Sequence, residues 1–123
     1  MKIVFKNARI LKMDGSPIFT SDLIVNDGKI EFIGDVLKYE DCFDRVIDCN
    51  GNLLMPGFKN AHSHNAMTLL RSYADDLPLH NWLFDKVFPI ESHLTDEITY
   101  YFTILGIMEN LSSGITACFD FYF

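Results

Sequence analysis

The sequence predicts an α/β chain, β-rich in its first half and opening a parallel strand–helix–strand unit in its second. Three observations carry that prediction. Short apolar segments separated by Asn, Asp and Gly turns fill residues 1–55 without helical periodicity. A helical apolar period runs from Ile98 to Leu111. Strongly apolar, strand-like runs at Phe58–His64 and Ile115–Phe123 flank that period.

In chain order, Lys2–Leu11 reads as a strand and Asp14-Gly15-Ser16-Pro17 as a turn. Asp22–Val25 and Lys29–Ile33 flank Asn26-Asp27-Gly28, a strong hairpin signal because these residues tolerate positive φ. Gly34 closes the second arm, and residues 35–44 form a loop or one short helical turn. Arg45–Cys49 is a further strand and Asn50-Gly51-Asn52 a second turn, so this half is expected to be a small β-sandwich or partial barrel. Beyond the Phe58–His64 strand, helix is expected around Ala66–Tyr73 and Leu79–Val87, interrupted by Pro78 and Pro89. Thr95 is placed to cap a helix whose first turn carries Asp96 and Glu97. Ile98, Tyr101, Phe102, Leu105, Met108 and Leu111 share one face of that helix, and Gly114 sits where a terminating glycine belongs.

A strand–helix–strand unit is one crossover of a parallel sheet, and such sheets are covered on both faces. A full eight-fold barrel needs about 250 residues. With 123 residues the chain is expected to be the N-terminal portion of a larger protein.

Composition narrows the function classes. Hydrophobic residues make up 49% and charged residues 22%, as in a folded globular protein. A net charge of −7 argues against a nucleic-acid partner, because polyphosphates need a basic footprint. No apolar run approaches the ~18 residues of a membrane span, so no membrane partner is expected. Three cysteines without framework spacing, Cys42, Cys49 and Cys118, read as free thiols in a cytoplasmic protein, Cys118 as core packing.

The chemistry centres on His62 and His64. Side chains two apart on a strand share a face, so both imidazoles project together and can hold one divalent metal. Imidazole suits zinc, iron and nickel, with zinc the first expectation. The alternative is a non-catalytic, β-rich module with structural histidines.

The run Leu54-Met55-Pro56-Gly57-Phe58-Lys59-Asn60-Ala61-His62-Ser63-His64, continuing through Asn65–Arg71, resembles the first barrel strand of the amidohydrolase superfamily. Ser72-Tyr73-Ala74-Asp75-Asp76-Leu77-Pro78-Leu79 and Trp82-Leu83 are similar to its branch of methylthioadenosine/S-adenosylhomocysteine deaminases and chlorohydrolase-like relatives. Leu111–Thr116 and Phe119-Asp120-Phe121-Tyr122 resemble that branch's second barrel strand.

The resemblance implies a small β-sandwich over residues 1–55 and, over 56–123, the start of an incomplete (β/α)8 TIM barrel. It implies a metal-dependent hydrolase acting on a small molecule, an adenosine-like or heteroaromatic amine. His62 and His64 would be two ligands of one divalent metal. A third histidine, an aspartate and a glutamate–histidine proton-transfer pair would come from later strands. No catalytic proton-transfer residue is therefore expected within this chain, and alone it should be inactive. Glu91 resembles a glutamate that accepts hydrogen bonds from ribose hydroxyls, and Trp82 is a candidate pocket wall. A ring-amide hydrolase of the dihydroorotase or hydantoinase kind is the alternative within the superfamily. Asp75 and Asp76 read as turn residues, His80 and His93 as ordinary histidines, and the role of Asp120 is open. Exposed apolar strands are expected to drive self-association.

Overall fold

Register in the N-terminal unit starts from the loop Asp27-Gly28, whose φ angles of 47° and 77° are the left-handed pair that a type I′ hairpin requires. It joins β2 (Phe19–Asn26) to β3 (Lys29–Gly34), placing Asn26 opposite Lys29. The structure, a computed structural model, describes residues 1–39 and 42–122. These divide into two compact units, Met1–Pro56 and the residues from Gly57 onward.

In the first unit β1 (Lys2–Ile10) runs antiparallel to β2, while β4 (Arg45–Asp48) and β5 (Leu53–Leu54) both run parallel to β1. The result is a five-stranded sheet of order β3-β2-β1-β4, with β5 also on β1. Between the pairs Phe5–Leu23 and Ala8–Ser21 the register of β1 slips, and Asn7 there takes a φ of 56°. Its N–H donates to Asp22 Oδ1 (2.8 Å) and its amide to Asp48 Oδ1 (3.0 Å). Opposite this bulge the Asn50-Gly51 turn separates β4 from β5, and the Gly51 N–H donates to the Asn7 carbonyl. The bulge keeps Phe5, Ala8 and Ile10 on one face, packed with Leu23, Val25, Cys49 and Leu54. Val4, Ile24 and Val36 pack on the other face with Phe32, Tyr39 and Phe43. In the segment 35–44, Val36–Lys38 forms a 3₁₀ turn capped by Asp35, and Glu40 and Asp41 lie outside the described residues. Sequence pattern did not reveal β5, because two residues carry no periodicity.

In the second unit β6 (Phe58–Ser63) and β7 (Ile115–Asp120) pair in parallel, joined through α1 (Leu79–Asn81), α2 (Phe88–Glu91) and α3 (Asp96–Ser112). They form an open pair of strands, and no barrel closes among the described residues. The strand expected over 115–123 ends at Asp120, and Phe123 lies outside the described residues.

Three local expectations are corrected. The segment after β6 is a 3₁₀ helix, Asn65–Leu70, followed by left-handed backbone at Ser72, Ala74 and Asp76, rather than a helix to Tyr73. Pro89 does not interrupt its helix. A π-helical turn, Trp82–Val87, bridges α1 to α2, and Pro89 falls in the first turn of α2, where its missing N–H costs little.

The third correction concerns α3, whose expected apolar stripe is largely exposed: Tyr101 and Met108 are each 61% accessible. The face that packs runs through Phe102, buried Gly106 and Asn110, because glycine lets the helix backbone reach Asn65. The ends of α3 follow the sequence. Thr95 Oγ1 accepts from the Ile98 N–H, and Gly114 follows the last turn at a φ of 78°.

Candidate metal centre and substrate pocket

β6 ends with two imidazoles facing each other. The Nε2 atoms of His62 and His64 are 3.0 Å apart, with the rings nearly perpendicular at 86°. Two nitrogens on one tetrahedral zinc, each about 2.0–2.1 Å from the ion, lie about 3.3 Å apart, so this donor pair fits a shared metal with little adjustment. His64 is oriented by its other nitrogen, since Nδ1–H donates to the Phe121 carbonyl at 2.5 Å. A carbonyl can only accept, so the His64 proton sits on Nδ1 and the lone pair on Nε2. His62 then donates from Nε2 to that lone pair, and a metal held by the pair would require the His62 proton on Nδ1 instead. Among the described residues no group of three or more His, Cys, Asp and Glu side chains could hold a metal, so the pair stands as two donors.

His64 borders a cavity of about 640 Å³. Trp82 and Glu91 line the same cavity, together with Met67, Asp120 and Tyr122. Trp82 stands in the π-helical turn and Glu91 at the end of α2, so the helical run that carries both turns them to one space. The Tyr122 hydroxyl donates to Glu91 Oε1 at 2.9 Å. Burial, reinforced by the hydrogen bond to Glu91 and its charge, pushes the Tyr122 hydroxyl up to about 12.

Beside the histidines lies a polar node, centred on buried Asn65 and reaching exposed Asp120, that sequence reasoning missed. Asn65 is 5% exposed. Its backbone N–H donates to Asp120 Oδ1 (3.0 Å) and its side-chain amide to Asp120 Oδ2 (2.8 Å), so the Asp120 carboxylate faces Asn65 with both oxygens. Asn65 Oδ1 accepts from Ser63 Oγ (3.1 Å) and Asn110 Nδ2 (2.8 Å). The only hint in the sequence was an asparagine beside the histidine pair.

The remaining candidates lie elsewhere. Asp75 and Asp76 are exposed and do not line this cavity. His80 stacks on Phe84 with ring centroids 4.5 Å apart, and His93 Nδ1 donates to the Pro89 carbonyl. Cys118 is exposed rather than core packing, and it accepts a long hydrogen bond from the Asn65 amide (3.5 Å). From Thr116 to Asp120 every residue of β7 is exposed, so this apolar-looking strand is uncovered on both faces. Cys49 and Cys118 are free thiols, and burial pushes the Cys49 thiol up. No helix among the described residues is long and apolar enough to cross a membrane.

Residues 53–123, more than half of the chain, match the model of the amidohydrolase family. The chain belongs to that family. Its relatives include a 5-methylthioadenosine/S-adenosylhomocysteine deaminase of Caldicellulosiruptor saccharolyticus, 45% identical over 100% of this chain and 30% of the relative. A 5′-deoxyadenosine deaminase of Methanosarcina mazei is 43% identical over 98% of this chain and 28% of the relative. The crystal structure of an adenosine deaminase from Xanthomonas campestris with bound zinc superposes with a TM-score of 0.86. It is 31% identical and covers 98% of this chain and 29% of that one. The chain thus spans under a third of each of these proteins. The α/β reading of the fold holds over the 98% of the chain that superposes on the Xanthomonas campestris structure.

Proposed function

We propose that this chain carries two metal ligands and part of the substrate pocket of a metal-dependent aminohydrolase that acts on an adenosine-like or heteroaromatic amine. The observation that carries this reading is the convergence of the two Nε2 atoms at 3.0 Å beside a cavity also lined by Trp82 and Glu91. Deaminase relatives along the whole chain support the reaction class, and zinc in a similar adenosine deaminase supports the metal.

When bound, a divalent metal (zinc, with iron or nickel accepted by the same imidazoles) lowers the pKa of water to about 7 and so supplies a nucleophile at neutral pH. The chain's own residues bind and orient. His64, just past β6, presents Nε2 because Nδ1 is held by the Phe121 carbonyl, and His62 completes the pair from the last residues of β6. Glu91, steadied by Tyr122, is an acceptor for vicinal hydroxyls of a ribose, and Trp82 offers an aromatic wall for an apolar or planar group. Two donors fall short of a full ligand set, so the remaining ligands and the proton-transfer groups would come from residues outside these 123.

The test is zinc titration of the full-length protein beside His62→Ala and His64→Ala, with ammonia release from 5′-methylthioadenosine followed in parallel. Each substitution should weaken zinc binding at least about tenfold and remove turnover. The 123-residue chain alone should release no ammonia. Unchanged zinc affinity in both variants would refute the ligand assignment, and turnover by the isolated chain would refute its incompleteness. Hydrolysis of dihydroorotate or a hydantoin without deamination would favour a ring-amide hydrolase.

A further inference from the structure

Taking His62 and His64 as ligands, we infer that Asn65 and Asp120 act as a positioning pair that sets the orientation of the His64 imidazole. Two straps connect the ends of β6 and β7 next to that ring. One is the side chain of Asp120, which accepts from both the backbone N–H and the amide of Asn65, at 3.0 and 2.8 Å. The other is the backbone of Phe121, whose carbonyl accepts from His64 Nδ1 at 2.5 Å and whose N–H donates to the Ser63 carbonyl at 2.8 Å. The peptide linking His64 to Asn65 and the peptide linking Phe121 to Tyr122 are thereby held at a fixed separation, which fixes the ring between them.

The pair is locked from the far side as well. Asn65 Oδ1 accepts from Ser63 and Asn110, and a Cβ on Gly106 would lie 2.9 Å from the Asn65 carbonyl oxygen. Asn65 is 5% exposed, so an unmatched hydrogen bond there is not repaired by bulk water. Asp120 borders the cavity but faces Asn65 with both oxygens, which makes it a positioning residue rather than a catalytic acid.

The donor and acceptor pattern gives a sharp test, because it survives exchange of the two side chains. With Asn65→Asp and Asp120→Asn combined, residue 65 still accepts from Ser63 and Asn110, residue 120 donates its amide N–H to the residue 65 carboxylate while its amide oxygen still accepts the residue 65 backbone N–H, and the net charge is unchanged. Either substitution alone sets two acceptors or two amides against each other.

The variants are made in the full-length protein, and two quantities are read. The first is the ¹⁵N shifts of the His64 ring in metal-free protein, which report the tautomer. The second is affinity for zinc alone. The parent should show Nδ1–H on His64. Each single variant should show tautomer averaging and about tenfold or greater loss of zinc affinity, and the exchanged pair should recover both. If a single variant fails to fold, the exchanged pair decides, since recovery there upholds the positioning role and its absence overturns it. Singles that keep the parent tautomer and affinity also overturn it, even if their thermal stability drops. Should the parent bind no zinc, the ligand reading falls by itself, while the tautomer measurement still judges the coupling of Asn65 and Asp120 to His64.

Discussion

Tyr122 and Glu91 make a pair whose behaviour follows from burial and one hydrogen bond. The phenol is displaced upward to about 12 because burial penalises phenolate and because Glu91 both accepts its proton and opposes a second negative charge. In Glu91→Gln the charge is gone and burial remains, so the midpoint should fall while staying above the ordinary value near 10. A ¹³Cζ titration of the tyrosines reads this directly, and a parent midpoint near 10 would contradict the packing. The sign for stability is definite. The folded state holds the phenolic proton more tightly than the unfolded chain, so this contribution is complete below pH 10 and lost as pH rises towards 12. At this scale the sequence was partly legible. His62, His64, Trp82 and Glu91 stood out through strand spacing and family resemblance, and the structure brings the last three to one cavity. Tyr122 and Asn65 did not stand out, because their roles depend on partners 31 and 55 residues away that no local pattern reveals.

Among the elements, α3 shows how a correct helix can be given the wrong buried face. Its caps and length were legible from Thr95, the acidic first turn and Gly114. The apolar stripe pointed to burial through Leu105 and Met108, but the close contact runs through Gly106, where helix backbone meets the Asn65 carbonyl. Hydrophobic period identifies a face that wants cover, and it cannot see a glycine chosen for close approach. Gly106→Ala separates the two effects. Alanine favours the helix by about 1 kcal/mol, while overpacking against backbone costs about 1–3 kcal/mol. The clash involves a main-chain oxygen that cannot rotate away, so urea denaturation should show net destabilisation of about 1–2 kcal/mol. Met108→Ala, on the exposed stripe, should move stability by no more than about 0.5 kcal/mol. A Gly106→Ala protein as stable as its parent would mean that α3 stands off from Asn65. The helix through Pro89 follows the same logic, since a proline in the first turn of a helical segment lacks an N–H that the segment does not need.

For the chain as a whole, the two units solve the problem of burial unequally. The N-terminal sheet packs apolar side chains on both faces, around Leu23 on one side and Ile24 on the other. The second unit has one pair of parallel strands, an architecture that is marginal alone and normally covered on both faces. Phe58 on β6 is 56% exposed and Phe119 on β7 61%, and the uncovered stripe of α3 adds further apolar surface. Surface of that kind lowers its free energy by meeting another copy or by exchanging strands. Expressed by itself, the 123-residue chain should therefore sediment as a dimer or larger species at micromolar concentration. Phe119→Lys and Met108→Lys together should shift it towards monomer, because a charge on each face makes dehydration costly without touching the buried residues. Analytical ultracentrifugation across a concentration series distinguishes the outcomes. A monodisperse monomer throughout would show that α3 and the two strands satisfy one another without further cover. The apolar faces of β6, β7 and α3 would then have to be read as tolerated exposure rather than as surface shaped for burial.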